Sequence, residues 1–188
     1  MTVEELCDRE AIRDVIYKYC HAIDRRDPEM LRTVYWPEAV DDHAFVKHDV
    51  EAFIAMAMEM VAACVVTQHH VGNILIHLEK DSARVETYVN AYHRIEGPTT
   101  PHWRTKPEPI PESGKGKFAE FLTGSRYLDR MEKRDGVWRI SSRKVAQDWY
   151  RLADAHNWAD YPYAGGHNLG THNHTDPGYL LFEGVKWR

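Results

Sequence analysis

Two adjacent histidines, His69 and His70, stand in the stretch VVTQHHVGN among apolar and β-branched residues. Successive side chains of a β-strand point to opposite faces, so only one of the two can face a protein interior. The two predicted faces are His69, Val71, Asn73, Leu75 and His77 on one side and His70, Gly72, Ile74, Ile76 and Leu78 on the other. Taken alone, either histidine is well explained as a polar residue at a sheet edge.

A nearby carboxylate would change that interpretation, because a histidine oriented by a carboxylate can act as a general base. Asp24 is the candidate partner. It lies near the end of a predicted helix and beside its apolar stripe, where the helix dipole does not stabilise a negative charge. On spacing alone, a solvated aspartate within the charged run DRRD explains Asp24 better.

Three helices are predicted before the histidines. Apolar residues recur at helical spacing over residues 3–26. A second, short helix is predicted over 29–36, with Asp27 as N-cap and Pro28 in its first turn. A third covers HDVEAFIAMAMEMVAAC, with Asp49 as its cap.

Four strands are predicted after Cys64, over residues 67–79, 82–95, 117–133 and 137–150, where β-branched and aromatic residues alternate with polar ones. A long Pro- and Gly-rich loop at about 96–116 separates the middle two. Helices followed by antiparallel strands indicate an α+β domain with helices on one face of a sheet. If that sheet is curved, its concave side encloses a pocket, where inward-facing polar residues gain chemical meaning.

Composition excludes several classes of protein. The 188 residues suffice for one hydrophobic core, and a formal net charge of −5 offers no electrostatic footprint for nucleic acid. Cys7, Cys20 and Cys64 are far apart and form no CxxC metal motif. The acidic start MTVEELCDRE and the lack of a long apolar run predict a cytoplasmic protein with no membrane segment.

The ordered stretches REAIRDVIYKYCHAIDRRDPEMLRTVYWPEAV, TQHHVGN and GSRYLDRMEKRDGVWRISSRKVAQDW resemble the SnoaL-like branch of the nuclear transport factor 2-like superfamily. The resemblance implies a cone-shaped α+β barrel, with N-terminal helices packed on a strongly curved, mixed or antiparallel sheet. It assigns residues 1–150 to the SnoaL-like domain. Residues 151–188 would be a tail that packs on the domain or on a neighbouring subunit.

Within that family the sequence is most similar to the dehydratases and dehydrochlorinases, in which an Asp ending the first helix pairs with a His in a T-x-H-x-x-x-N segment. Asp24 and His69 match, with Thr67 and Asn73 completing the segment. Tyr19 matches a proton-donating tyrosine and Arg143 an arginine that steadies a departing anion, although core packing and a surface strand explain these two about as well. The implied substrate pocket includes Asp41, Asn73, Asn90 and Tyr92.

The function implied is a cofactor-independent lyase or isomerase, dehydratase-like, that acts on a small hydrophobic cyclic or steroid-like molecule. The alternative is a non-catalytic ligand-binding or assembly protein, comparable to the small subunit of ring-hydroxylating dioxygenases. No metal or cofactor is expected, although His167, His172 and His174 with the segment DDH could be interpreted as a metal site. A homo-oligomer, dimer or trimer, is expected through an outer apolar face containing Ile74, Ile76 and Leu78.

Overall fold

The computed structural model describes residues 1–43, 47–96, 118–155, 170–182 and 185. Four helices are present in these ranges: α1 (Val3–Arg25), α2 (Pro28–Thr33), α3 (Val50–Ala62) and α4 (Pro177–Leu181). The strands are β1 (Tyr35–Asp42), β2 (Lys47–Asp49), β3 (Cys64–Glu79), β4 (Ser82–Glu96), β5 (Phe118–Arg134) and β6 (Val137–Ala155). The loop expected at about 96–116 lies almost wholly outside the described residues.

The strands form one mixed sheet in the order β2-β1-β6-β5-β4-β3. β1 runs parallel to β6 and every other pairing is antiparallel. The sheet is curved and open, and the buried core lies between its inner face and helices α1 and α3. The prediction of an α+β cone is therefore confirmed.

Helix α1 is defined at both ends by its sequence. Thr2 and Glu5 form a reciprocal capping box at the start. At the end, Arg26 adopts the left-handed conformation (φ 53°), and its backbone N–H bonds to the carbonyls of Ala22 and Ile23. The buried stripe of α1 includes Asp24, so the sequence carries a carboxylate into the interior at the last turn of the helix.

Helix α1 lies along β3, which is an edge strand and has unpaired backbone groups on one side. Arg9 donates to the carbonyl of Ile76, and Asp24 accepts the backbone N–H of His69. From residue 9 to residue 24 a helix advances about 22 Å, and from residue 69 to residue 76 a strand advances about 23 Å. The two elements therefore match in length between these contacts, and helix side chains pair with two backbone groups of the free edge.

The predicted second helix is too long. The structure ends α2 at Thr33 and starts strand β1 at Tyr35, within the range predicted to be helical. Pro37 explains the difference, because the residue before a proline is disfavoured in the helical conformation. The resulting strand turns Tyr35, Ala39 and Asp41 into the core.

The predicted alternation of β3 fails after Val71. Val71 pairs with Val89 and Ile74 with Thr87, so β3 uses one residue more than β4 between the two pairs, which is a β-bulge. The bulge reverses the faces of the strand beyond it. Ile74, Ile76 and Leu78 therefore pack on the core, whereas Asn73, Leu75 and His77 are exposed. The prediction that Ile74, Ile76 and Leu78 form an apolar outer face is therefore wrong.

The bulge predicts that truncating two neighbouring side chains of similar size will change the free energy of unfolding by very different amounts. Ile76→Ala removes a buried side chain and should lower the free energy of unfolding by about 2–4 kcal/mol. Leu75→Ala, at a residue that is 71% exposed, should change it by no more than about 0.5 kcal/mol. Urea unfolding of both variants measures the difference, and a larger loss for Leu75→Ala would contradict the bulge.

Candidate functional site

Asp24 and His69 are joined by two hydrogen bonds. The backbone N–H of His69 donates to Asp24 Oδ2 at 2.8 Å, and Nδ1 of the same residue lies 2.7 Å from Asp24 Oδ1. Both side chains are nearly buried, with 9% of His69 and 11% of Asp24 exposed. Each carboxylate oxygen therefore has its own partner, and the imidazole cannot rotate without breaking a bond to a buried charge.

This contact determines which ring nitrogen of His69 carries hydrogen. An ionised carboxylate only accepts, so Nδ1 must be the donor. In the neutral ring, Nε2 then keeps its lone pair. Within the described part of the chain, Nε2 has no hydrogen-bond partner. The arrangement is that of a histidine base whose tautomer is fixed by an aspartate.

Two opposing effects act on the carboxyl group of Asp24. Burial raises its pKa, but the hydrogen bonds from the His69 ring and backbone outweigh burial and lower it overall. The nearby Arg25 acts in the same direction. Asp24 is therefore a carboxylate at neutral pH, despite its place at the unfavourable end of α1.

His93 on β4 is the residue next to this pair that sequence reasoning missed. Its ring lies edge-on to the His69 ring, with centroids 5.5 Å apart. Burial, and then the neighbouring His69, lower the pKa of His93 from 6.5 to about 3. Its Nδ1 is buried and, within the described residues, has no hydrogen-bond partner. His93 is thus a neutral imidazole with one unused nitrogen beside the candidate base.

A row of rings continues from His93 across the inner face of the sheet. Phe121 on β5 lies 5.9 Å from the His93 ring, and Tyr150 on β6 lies 6.2 Å from Phe121. His69, His93 and Phe121 are partly buried, and Tyr150 at the far end of the row is 52% exposed. The row of His69, His93, Phe121 and Tyr150 therefore leads from the buried pair to solvent.

Deeper in the core, Arg143 and Asp129 form a fully buried ion pair with two parallel bonds of 2.7 Å. The guanidinium lies between the rings of Tyr19 and Tyr127, at 4.0 and 4.1 Å from their centroids. Burial would lower the pKa of Arg143, but the charge of Asp129 raises it overall, so the guanidinium stays charged. Its Nη1 has no partner among the described residues.

Tyr19 lies about one helical turn before Asp24 and is also buried. Burial raises the pKa of its phenol, so it remains protonated. Asp41 is fully buried, where it accepts hydrogen bonds from the hydroxyl of Tyr35 at 2.7 Å and from Nδ1 of His43 at 3.1 Å. These groups make the core behind the Asp24–His69 pair unusually polar.

Three of the expected pocket residues lie elsewhere. Asn73 follows the bulge of β3 and is exposed. On β4 the buried positions are Ala83, Val85, Thr87, Val89 and Ala91, so Asn90 and Tyr92 point to the outer face. Asn90 is exposed, and the hydroxyl of Tyr92 lies 3.0 Å from Glu120 Oε1. The structure does not bring Asn73, Asn90 or Tyr92 to the group around His69.

The outer face carries an open groove of about 710 Å³, lined by Lys47, Leu75, His77, Arg84, Glu86 and Lys144 among others. Neither Asp24 nor His69 lines it. Its charges are mixed, and its lining combines exposed strand residues with the buried residues Val85, Asp129 and Arg143. The inner face, by contrast, holds a buried carboxylate and a histidine of fixed tautomer. The inner face is therefore the better candidate for chemistry.

The described residues contain no group of three or more histidine, cysteine, aspartate or glutamate side chains that could hold a metal ion. His172 and His174 lie in the described C-terminal segment, and His167 lies outside it. In the same ranges no helix is long and apolar enough to cross a membrane.

Comparison with solved structures identifies many similar folds. A hexachlorocyclohexane dehydrochlorinase, LinA type 2, is 17% identical with a TM-score of 0.67 and covers 85% of this chain and 98% of its own. A provisionally assigned scytalone dehydratase from Novosphingobium aromaticivorans is 22% identical, with a TM-score of 0.63 and coverage of 84% and 93%. Kfla4162 from Kribbella flavida is 18% identical, with a TM-score of 0.63 and coverage of 78% and 95%.

At these identities the likeness is one of fold. A comparison with curated protein sequences found no significant match. The model of the SnoaL-like domain matches residues 4–144, which include nearly all of α1, the Asp24–His69 pair and Arg143. Since this match spans most of the chain, the protein belongs to the SnoaL-like domain family.

Proposed function

We propose that the protein is a cofactor-independent lyase or isomerase in which His69 removes a proton from carbon. The observation that carries the proposal is the double hydrogen bond between His69 and Asp24. Holding a carboxylate in a buried site costs free energy, and here that carboxylate fixes one tautomer of one histidine. A binding protein has no evident need for that arrangement.

In the proposed step, Nε2 of His69 takes a proton from a carbon next to a carbonyl group or a leaving group. The C–H electrons form a double bond, and either an enolate results or the leaving group departs with its electron pair. His69 becomes an imidazolium, which Asp24 stabilises through the Nδ1–H bond at 2.7 Å. The proton then returns to the leaving hydroxyl in a dehydration, or to a different carbon in an isomerisation.

Three neighbouring groups suit the negative charge that develops. Tyr19 stays protonated, so its hydroxyl can donate a hydrogen bond to an oxygen. Arg143 keeps its positive charge, although Asp129 already engages two of its nitrogens. His93 is neutral, and its ring centroid lies 5.5 Å from that of His69. One nitrogen of the His93 ring has no hydrogen-bond partner among the described residues. We assign Tyr19 and His93 to substrate orientation and Arg143 to stabilising charge.

The substrate class follows from the walls of the site. His93, Phe121 and Tyr150 provide a row of flat rings that rises from the buried base to solvent. Such a row favours a hydrophobic cyclic molecule, which can stack against the rings while a polar group reaches the buried end. The dehydrochlorinase and dehydratase names of the structural neighbours agree with this chemistry.

Assembly is a second part of the proposal. We expect a homo-oligomer, but the outer face would contribute Leu75, Tyr88 and Trp149, which are exposed large apolar side chains. The bulge of β3 excludes Ile74, Ile76 and Leu78 from that role, because they pack on the core. Sedimentation at micromolar concentration tests this expectation, and a single monomeric species would contradict it.

Removing the base should slow proton transfer strongly. In heavy water, we expect the wild-type protein to exchange the activated C–H protons of members of a panel of bicyclic and steroid-like ketones, followed by NMR. His69→Ala should lower the exchange rate by about 10²-fold to 10⁴-fold. Asp24→Asn should also lower it strongly, because the amide N–H can donate to Nδ1 and leave the proton on Nε2.

The matched control is His70→Ala, which removes an exposed histidine from the same strand. It should leave the rate unchanged, and chelator treatment should do the same. Near-normal exchange by His69→Ala would refute the proposed base. If wild type and His69→Ala bind a ketone equally well and neither exchanges protons, the ligand-binding alternative is the better account.

The low pKa of His93 also predicts how stability depends on pH. Unfolded, His93 binds a proton below about pH 6.5; folded, it stays neutral down to about pH 3. Because the unfolded state binds more protons in this window, His93 should cost about 1 kcal/mol of stability for each pH unit below 6.5. His93→Gln should therefore reduce the fall of Tm between neutral and acidic pH, whereas His70→Gln should not. Equal slopes for the two variants would show that His93 titrates normally.

A further inference from the structure

A C-terminal segment, residues 170–182, is fastened to the end of α1, and we call it the C-terminal strap. Arg25 donates to the carbonyl of Thr171 at 3.3 Å and lies 3.5 Å from the carboxylate of Asp176. The hydroxyl of Tyr179 donates to Asp27 Oδ2 at 2.7 Å. These contacts hold the strap against the same helical turn that carries Asp24.

His172 makes the contact of the strap that lies nearest to the Asp24–His69 pair. Its Nδ1 is 2.7 Å from the backbone carbonyl oxygen of Asp24, and its Nε2 is 2.7 Å from the carbonyl oxygen of Val65. Asp24 belongs to α1, and Val65 lies four residues before His69 on β3. One imidazole ring therefore bridges the two elements that supply the pair.

The two contacts restrict the protonation state of the His172 ring. A carbonyl oxygen only accepts hydrogen bonds, so both ring nitrogens must donate, and only the imidazolium form of histidine has two N–H groups. In a neutral ring, one nitrogen lone pair would face a carbonyl oxygen at 2.7 Å. The observed geometry thus fits a ring that carries a positive charge.

We propose that doubly protonated His172 is a positioning residue, which holds the carbonyl of Asp24 and strand β3 together and so sets the geometry of the Asp24–His69 pair. Docking of the strap takes up one proton, and raising the pH releases the strap. The positioning role rests on the proposed function of that pair. The docking itself does not.

The groups that face His172 from α1 do not compete as switches. Asp24 is held as a carboxylate by His69. The guanidinium of Arg25 faces Asp176 and also donates to the carbonyl of Asp24 at 3.2 Å, and the guanidinium of Arg26 donates to the carbonyl of Cys64. Burial lowers the pKa of His21, with Arg25 acting in the same direction, so His21 is neutral where His172 is proposed to change charge. The carboxylate of Asp27 is engaged by Tyr179.

Other titratable groups near His172 lie on β3 and on the strap. Burial raises the pKa of the Cys64 thiol to about 11, and burial also raises the pKa of the Tyr179 phenol. Burial would raise the pKa of Asp176, but hydrogen bonds from the backbone N–H groups of Thr171 and Gly178 lower it overall. Two other histidines lie nearby: His69 on β3, and His174, whose ring packs on Tyr179.

Two near-isosteric variants separate the two bonds of His172. The amide of His172→Asn can replace Nδ1 and donate to Asp24, and the amide of His172→Gln can replace Nε2 and donate to Val65. The probe is the hydrogen exchange of the backbone N–H groups of Thr171 and Gly178, both bonded to Asp176. Rates are corrected for the intrinsic effect of pH.

In the wild type, protection of these amides should fall about tenfold as the pH rises from about 6 to 9, because hydrogen bonds to a charged group are lost. Both His172 variants should be less protected at about pH 6 and nearly independent of pH. His174→Gln is the matched control on the same strap, and His69→Gln controls for the other nearby histidine. Both should keep the wild-type pH dependence.

A second readout follows the positioning role. The ring Nδ1–H signal of His69 in NMR should exchange with water faster in the His172 variants than in the wild type. If a substrate is found, kcat should fall about tenfold in these variants with little change in KM, because the base is misplaced rather than removed. His174→Gln should keep the wild-type kcat.

The inference is overturned if nitrogen NMR at about pH 6 shows a neutral His172 ring, or if His172→Gln keeps wild-type protection. Either result leaves the proposed function of the Asp24–His69 pair standing. If instead the His172 variants loosen the strap and the His69 N–H, but the wild type catalyses no proton transfer, the proposed function fails and the bridging role of His172 is supported.

Discussion

The contact on which the site depends is the one between the last turn of α1 and the free edge of β3. An edge strand exposes unpaired N–H and C=O groups, and two of those of β3 are met by side chains of α1, Arg9 and Asp24. Asp24 takes the backbone N–H of His69 and its ring N–H at once. One carboxylate therefore accepts a backbone N–H of the strand edge and orients the imidazole. These two hydrogen bonds offset part of the free energy that burying the carboxylate costs.

Other polar and aromatic side chains of the inner face surround that contact. Arg143 and Asp129 neutralise each other deep in the core, and Tyr35 and His43 satisfy Asp41. These bonds hold the polar groups behind the pair in place. Toward solvent, the surroundings change to aromatic rings. The base thus lies at the boundary between a polar core and an apolar wall.

Much of this arrangement was predictable from local patterns. Helical spacing and the Asp24 position indicated where α1 ends, and period-two alternation separated His69 from His70. The same alternation in SARVETYVNAYHRI groups Ala83, Val85, Thr87, Val89, Ala91 and His93, so the sequence contained the signal for His93. The resemblance drew attention instead to Asn90 and Tyr92, which lie on the opposite face.

Two features depended on context that a linear pattern does not carry. The bulge after Val71 reverses the faces of β3, and Gly72 within a strand was its only local signal. The bridge made by His172 joins residues 107 and 148 positions away along the chain, so no spacing rule could indicate it. Long-range contacts of this kind are fixed by packing rather than by local propensity.

Asp24 holds the His69 ring with its proton on Nδ1 and its lone pair on Nε2. The most direct test is a long-range nitrogen–proton NMR spectrum of the histidine rings at neutral pH, with His69 assigned by comparison with His69→Gln. A protonated Nδ1 and an unprotonated Nε2 are predicted, and Asp24→Asn should shift the proton to Nε2. A wild-type His69 that carries its proton on Nε2, or that shows a mixture of tautomers unchanged by Asp24→Asn, would contradict the account.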